Sequence, residues 1–374
     1  MKILELGKFY PPHYGGMETL LRAFCEGFLG CGAEVECVVA NDRARTEREI
    51  LGGVPIHRLA SFGLVASTAV CPSYLSSTRR MRADIWHHHF PNPLADLAGL
   101  LGPRRVPLVM TYHSDVIRQK GLLAYYGPVL RAILQRATRI VVGSPQLAEF
   151  SPWLAKAPEK IEVIPFGIRL EAFTPTETTL HRAAELRREA GGRPIVLSIG
   201  RLVEYKGHRF LIEAARNFDA AIWIIGEGPL EAELRATAAA CGVAHQVRFC
   251  GSVTEKELPA HLHACDVFAL PSITPNEAFG LAQIEAMACG KPVVSCRLPT
   301  GVPFVNQDRV TGLVIEPRET GALAEAIRSL LTNAEWRLQL GTAGRARANK
   351  EFAEGVMIQR YWALFQRLTR GVSG

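Results

Sequence analysis

The feature that most constrains this chain is a repeated alternation of short apolar runs with longer segments of helical period. Strand-like runs fall at 2–6, 34–39, 106–112, 139–142 and 161–164, then at 195–199, 221–226, 246–250, 266–270, 292–296 and 313–315. Helix-like segments lie between most of them, at 17–30, 123–136, 208–216, 229–240, 254–264, 280–289 and 320–331. Near-continuous apolar strands separated by helices specify parallel sheets covered on both faces. The stretch from Thr174 to Pro194 breaks the rhythm with Pro175, a threonine cluster and Gly191-Gly192, and reads as a connector. The expected fold class is therefore α/β, with two doubly wound, Rossmann-like halves facing each other across a cleft. The 374 residues suffice for two domains. No short repeat is visible, which excludes a solenoid.

Composition narrows the function classes. At 48% hydrophobic and 21% charged residues, the chain can offset the entropy of ordering and is not disordered. The nine cysteines form no CxxC pair, so they read as free, mostly buried thiols in a reducing compartment and not as a zinc site. The first residues, Lys2-Ile3-Leu4-Glu5-Leu6, are strand-like, so no signal peptide is expected. The longest uncharged stretch, Leu59 to Thr78, carries several Ser and Thr with Gly63 and Pro72, a poor membrane-spanning helix. A cytosolic protein is expected. Its 43 Lys and Arg against 36 Asp and Glu leave a charge of +7, a mild preference for anions.

In doubly wound sheets, ligands bind beyond the carboxyl ends of strands, so chemistry should sit in strand-to-helix loops. The first such loop, GKFYPPHYGGME, places Gly15-Gly16 just before a helix, where backbone N–H groups can approach an anion; a tight turn is the plainer reading. The dinucleotide fingerprint does not fit. GEGPLE at 226–231 has Glu231 where the third glycine should stand, which disfavours a nicotinamide dehydrogenase.

In SIGRLVEYKGHRFLIEA a buried strand ends at Gly200, and Arg201 and Lys206 flank the loop before a helix. Cations at a helix entry oppose its dipole unless an anion is present. A diphosphate would supply that anion, with arginine as a fork and lysine as a point charge. In PSITPNEAFGLAQIEAMACGKPVVS, Glu277 precedes a helix and Glu285 lies eight residues on, inside an otherwise apolar face formed by Leu281, Ile284 and Ala288. A carboxylate so placed needs a hydrogen-bonding partner, and a ribose diol would satisfy both oxygens. A surface glutamate early in a helix is the plainer alternative.

The spacing Glu277-x7-Glu285 within EAFGLAQIEAMACGKPVV resembles the hallmark of the retaining glycosyltransferases of family four, which have the GT-B fold. The resemblance runs from GGME through GRLVEYKG and GEGP to TGLVIEP at 311–317. It implies that Gly15 and Gly16 face the donor phosphates, and that Arg201 and Lys206 hold the diphosphate and stabilise the leaving group. It implies further that Glu285 binds the ribose, while Glu277 and the backbone of Ala278, Phe279, Gly280 and Leu281 grip the sugar and phosphate. His113, in TYHSD, matches the family histidine beside the donor sugar. Val253, in GSVTEKEL, would touch the base through its main chain. The resemblance also implies three parts: an acceptor-side domain over 1–172, a nucleotide-sugar-binding domain over 173–355, and a helix over 356–374 crossing back to the first. No cofactor is implied, and no essential divalent ion, because Arg201 and Lys206 substitute for it.

Other signals are weaker. His87-His88-His89 ends a strand-like DIWHHH, where alternation prevents all three side chains from converging on one metal; lining of a loop or cleft is expected instead. Glu255 could accept from a guanine edge, but Thr254-x-x-Glu257 is a capping-box pattern, so a helix start suffices. Within 79–139, ten basic residues oppose Asp84, Asp96 and Asp115. That face would suit an anionic membrane or a lipid-diphosphate acceptor, although solvated helix faces would look the same. Nucleic acid is not expected as a partner, since no recognition motif accompanies the charge. The expected partners are a nucleotide-diphosphate sugar, linked to GDP or UDP, and a glycolipid, lipid-linked oligosaccharide or surface-polysaccharide acceptor. The rivals are a nucleotide-sugar hydrolase or epimerase of the same fold, or a non-catalytic nucleotide-sugar-binding protein.

Overall fold

A computed structural model of the chain describes residues 1–13, 15–65, 68–115 and 120–370. Its contacts divide the chain into two units. One combines Met1–Gly167 with Glu354–Gly374, and the other is Ile168–Ala353. The boundaries fall a few residues before the sequence-based ones at 172/173 and 355/356.

The first unit begins with β1 (Lys2–Leu6), α1 (Gly16–Gly30) and β2 (Glu34–Ala40), then β3 (Glu47–Leu51) and β4 (Val54–Leu59), and a short pair, β5 (Leu64–Val65) with β6 (Thr68–Ala69). It continues through α2 (Tyr74–Arg79), β7 (Ile85–Phe90), α3 (Pro93–Leu101), β8 (Leu108–Tyr112), α4 (Lys120–Arg136), β9 (Arg139–Val142), α5 (Pro145–Phe150) and β10 (Ile161–Val163). These form an eight-stranded sheet in the order β10-β9-β8-β7-β1-β2-β4-β3. All pairs are parallel except β3 with β4. That hairpin is absent from the sequence reading, although its signal was there. Gly52 and Gly53 both take positive φ (57° and 81°) between the paired Leu51 and Val54, the conformation a two-residue hairpin loop requires. The last helix, α14 (Glu354–Arg370, numbered in chain order after the elements below), packs on α1 through Tyr361 and Phe365 against Phe24 and Phe28.

The second unit holds α6 (Glu177–Glu189), β11 (Ile195–Ile199), α7 (His208–Ala214), β12 (Ala221–Ile225), α8 (Glu231–Ala240), β13 (Val247–Gly251), α9 (Leu258–Ala264) and β14 (Val267–Leu270). It ends with α10 (Leu281–Ala288), β15 (Val293–Cys296), α11 (Val302–Val305), β16 (Gly312–Ile315), α12 (Thr320–Thr332) and α13 (Ala334–Glu351). Its six strands are all parallel, in the order β13-β12-β11-β14-β15-β16. Strands such as AIWII of β12 are buried throughout, as strands covered on both faces must be.

Two expectations need correction. The connector over 174–194 is largely helix α6. Its threonine cluster supplies the N-cap, with Thr176 Oγ1 accepting from the Thr179 amide at 3.1 Å, and Gly191 and Gly192 (φ 66° and 76°) end it. Only Ala183 and Leu186 of α6 are buried, too few to impose a visible period. The helix expected over 254–264 begins at Leu258, preceded by a turn that Thr254 Oγ1 closes by accepting from the Glu257 amide at 3.3 Å.

Six of the nine free cysteines are buried and three partly so. Among the described residues, no helix is long and apolar enough to cross a membrane. In the first unit, Arg104, Arg105, Arg139 and Arg367 line one open pocket, near the amino ends of β8 and β9. Arg136 is spent locally, donating to the carbonyls of Pro103 and Val106. Arg118 lies outside the described residues.

Candidate active site

In both sheets the order of strands reverses beside the first strand: β1 lies between β2 and β7, and β11 between β12 and β14. Loops leaving such strands diverge and open a crevice at their carboxyl ends. The sequence-predicted residues all lie in or after loops at these ends. Gly15-Gly16 follow β1 and His113 follows β8. Arg201 and Lys206 follow β11, Val253 follows β13, and Glu277 to Leu281, with Glu285, follow β14.

In the second unit three backbone segments press together at that end. Gly207 adopts φ 69°, and a Cβ there would collide with the Pro271 carbonyl oxygen. A Cβ on Gly226 would likewise strike the Gly200 carbonyl, and one on Gly228 the backbone of Leu202. The Ile273 amide donates to the Tyr205 carbonyl at 2.8 Å, tying the loop after β11 to the loop after β14. Glycine is therefore needed at these positions for close approach.

This packing brings Lys206 to Glu277. Lys206 Nζ donates to Glu277 Oε2 at 2.6 Å, and Ser272 Oγ donates to the same oxygen at 2.9 Å. Ser272 escaped the sequence reading, because a serine in a strand-end PSI carries no distinctive signal. Burial pushes the Lys206 ammonium down, but Glu277 outweighs it and the pKa ends above its ordinary value. Glu277 therefore stays paired at one oxygen, while Oε1 has no partner among the described residues.

Beyond the pair, Gly280 (φ 73°) forms the N-cap of α10. Gln283 Nε2 locks the turn by donating to the carbonyls of Phe279 (2.9 Å) and Val302 (3.2 Å), and the Gly301 amide donates to the Ala278 carbonyl at 2.8 Å. The amides at the start of α10 are thus presented by a fixed turn. Glu285, one turn into α10, makes no hydrogen bond through its carboxyl among the described residues. Burial raises its pKa to about 7, with Lys206 opposing the rise and Glu255 adding to it. Arg201 is exposed and also without a hydrogen bond or ion pair among the described residues. The segments that follow β11 and β14 thus carry a guanidinium and a carboxyl without partners among the described residues, and an ammonium held by Glu277.

In the first unit, Gly15 is the extended N-cap of α1. The Glu18 carboxylate reaches back over it, so closely that a Cβ on Gly15 would strike it. The amino end of α1 therefore already carries a carboxylate. His113 is buried and stacked between Phe166 and His89, at centroid distances of 5.1 and 5.4 Å. Burial, with His87 and His88 nearby, drives its pKa down to about 3, so the imidazole is neutral.

The three histidines of β7 are buried strand residues, not loop or cleft lining. His88 points to one face, 3.0 Å from Asp96. His87 and His89 share the other face with Glu5, which pairs with His87 in the register of β1 and β7. Glu5, His87 and His89 place ligand-type atoms within 4.8 Å of one another. Alternation thus separates His88 from its neighbours, but it brings two of the three together with a glutamate that the sequence reading passed over.

Two Rossmann-like units with this chemistry at their switch points define a GT-B glycosyltransferase architecture. Residues 14–172 match the family described as Glycosyltransferase Family 4, and residues 183–347 match Glycosyl transferases group 1. The chain is 31% identical over 381 residues to the O-antigen chain mannosyltransferase C of Escherichia coli, covering 100% of both proteins. It is 32% identical over 373 residues to the GDP-mannose-dependent alpha-(1-6)-phosphatidylinositol monomannoside mannosyltransferase of Mycobacterium tuberculosis, covering 92% of each. Its fold aligns with sucrose-phosphate synthase from Thermosynechococcus elongatus over 99% of both chains, with a TM-score of 0.84 at 24% identity. The chain belongs to the family-four glycosyltransferases.

Proposed function

We propose that this glycosyltransferase moves a hexose-type sugar, with retention of anomeric configuration, from a GDP- or UDP-linked donor to a glycolipid, lipid-linked oligosaccharide or surface-polysaccharide acceptor. The observation that carries this reading is the Lys206–Glu277 pair at 2.6 Å, with Arg201 and Glu285 without partners among the described residues. The two relatives named above, an O-antigen mannosyltransferase and a GDP-mannose-dependent glycolipid mannosyltransferase, support a mannose-like sugar and a lipid-borne or polysaccharide acceptor.

In this reading Arg201 and Lys206 grip the diphosphate. When the glycosidic bond breaks, negative charge gathers on the β-phosphate, and preorganised cations there are worth about 2.7–4 kcal/mol each, as for oxyanion-hole donors. The partner-free Oε1 of Glu277 takes hydroxyls of the sugar, and the fixed turn over Ala278, Phe279, Gly280 and Leu281 offers its amides to sugar and phosphate. Glu285 accepts from the ribose diol, and Val253 meets the base through its main chain. From the first unit, Gly15 and Gly16 approach the phosphates once the Glu18 carboxylate turns away from the amino end of α1, and His113 lies beside the sugar. The leaving phosphate takes the acceptor proton, since the acceptor arrives on the face the phosphate departs from. The basic face of the first unit brings the enzyme to an anionic membrane.

A panel of UDP-, GDP-, ADP- and dTDP-sugars with lipid and oligosaccharide acceptors, read by mass spectrometry, tests this reading. Acceptor-dependent nucleotide release with a glycosylated product of retained configuration is expected. Release without an acceptor and without product would make the protein a hydrolase. Binding without turnover would make it a binding protein, and loss of activity on adding a chelator would overturn the metal-independent scheme.

A further inference from the structure

The face of the first sheet that carries His113 also carries a continuous chain of buried polar groups that the reading above does not use. Glu5 stands at the centre of β1, and its two oxygens lie 2.9 Å from His87 Nδ1 and 2.9 Å from His89 Nε2. His89 Nδ1 lies 3.1 Å from His113 Nε2. On the other branch, His87 Nε2 lies 2.7 Å from Thr111 Oγ1, which lies 2.8 Å from the Tyr361 hydroxyl of α14. Glu5, His87, His89 and Thr111 are buried under Phe24 and Phe28 of α1 and under Tyr361 and Phe365. Four neighbouring buried strand positions are rarely given to polar groups in such a place unless each is satisfied.

The chain has a direction. Burial raises the Glu5 pKa and its hydrogen bond to His89 opposes the rise; taken as ionised, the carboxylate accepts from one ring nitrogen at each oxygen, 2.9 Å away. His87 then carries its proton on Nδ1 and His89 on Nε2. His89 Nδ1 is left as an acceptor, so the facing nitrogen of His113 must donate. Thr111 donates to His87 Nε2 and accepts from Tyr361. With Glu5 ionised, this order places every proton and puts that of His113 on Nε2. Its Nδ1 stays bare and without a partner among the described residues. Burial lowers the pKa of His87 and His89 to about 3, so neither ring adds a charge that would reverse this order.

We infer that Glu5 and His89 are positioning residues which fix the ring and tautomer of His113, presenting its Nδ1 as a hydrogen-bond acceptor for a sugar hydroxyl and not as a donor to phosphate. The inference rests on the reading of His113 as the residue beside the donor sugar. The same atoms invite a metal, but each faces a hydrogen-bond partner at ordinary distance, and the ring nitrogens that bond to Glu5 point their protons at it. A metal would have to displace those protons and find further ligands in an apolar pocket.

The test uses the full-length protein with histidines labelled in ¹⁵N. Long-range proton–nitrogen correlation identifies His113 by the signals lost in His113→Asn. A protonated Nε2 and a bare Nδ1 are expected in the unsubstituted protein; a proton on Nδ1 would overturn the proposal without any further variant. His89→Phe keeps the packing but removes the acceptor. It should expose the Nε2 proton to rapid exchange and lower kcat by about tenfold to a hundredfold, the range of partners that act through another residue, with donor KM changed much less. His89→Gln, whose amide can accept from His113 and donate to Glu5, should restore both signals. Unchanged His113 signals in His89→Phe would sink the idea, as would stoichiometric transition metal in the purified protein that Glu5→Gln removes. If His113→Asn turns over normally while the tautomer result holds, the hydrogen-bond chain stands and the reading of His113 falls.

Discussion

Lys206 and Glu277 come from different loops, 71 residues apart, yet their charged atoms meet at 2.6 Å. The pairing depends on backbone contacts that only glycine allows at 207, 226 and 228. It gives the ammonium a fixed place before any donor arrives, which is what preorganised electrostatic stabilisation requires.

Lys206→Ala should therefore lower kcat by about a hundredfold to a thousandfold while leaving the far-ultraviolet circular dichroism unchanged. A loss confined to donor KM would mean that the ammonium only binds and does not favour the transition state.

Arg201 has no protein partner among the described residues, so its fork is free for a diphosphate. Arg201→Lys keeps the charge and loses the two-pronged geometry. Its affinity for a nucleoside diphosphate, measured by calorimetry, should fall between those of the unsubstituted protein and Arg201→Ala. Equal affinity in all three would remove the arginine from the site.

Glu285 carries a pKa raised to about 7 by burial. The folded protein thus holds a proton there that the unfolded chain releases near the ordinary value of 4.5. Stability from this residue is lost as pH rises from about 4.5 through 7, so Glu285→Gln should raise Tm at pH 8 and leave it little changed at pH 4. Binding a ribose diol favours the carboxylate, so nucleotide affinity should improve from pH 6 to pH 8. Glu285→Gln should bind weakly with a flatter profile, and an unchanged affinity would sink the ribose assignment.

Gly207 holds φ 69° against the Pro271 carbonyl. Gly207→Ala should destabilise the second unit by about 1–3 kcal/mol for the backbone strain alone, seen as a lower Tm. An unshifted Tm would show that the loops can separate at little cost.

The strands of the second unit were legible because each is a short apolar run between helices, and parallel burial leaves no alternation to confuse them. Arg201 and Lys206 stood out in the sequence as cations at a helix entry, and Glu285 as a carboxylate within an apolar helix face. Helix α6 was not, since it buries only Ala183 and Leu186 and its charged majority imitates a linker. Glu5 and His89 were hidden for another reason. Their meaning lies in the cross-strand register of β1 with β7, which places Glu5 opposite His87, and no single stretch of sequence contains that register.

The chain leaves the first unit after Gly167 and returns to it only at Glu354. A ribosome must therefore make the whole second unit before α14 can cover His87 and complete Thr111 with Tyr361. Until then the first sheet lacks the wall that Tyr361 and Phe365 supply, and only α1 covers His87. The enzyme's two halves cannot mature in the order in which they are written: the unit begun first is finished last.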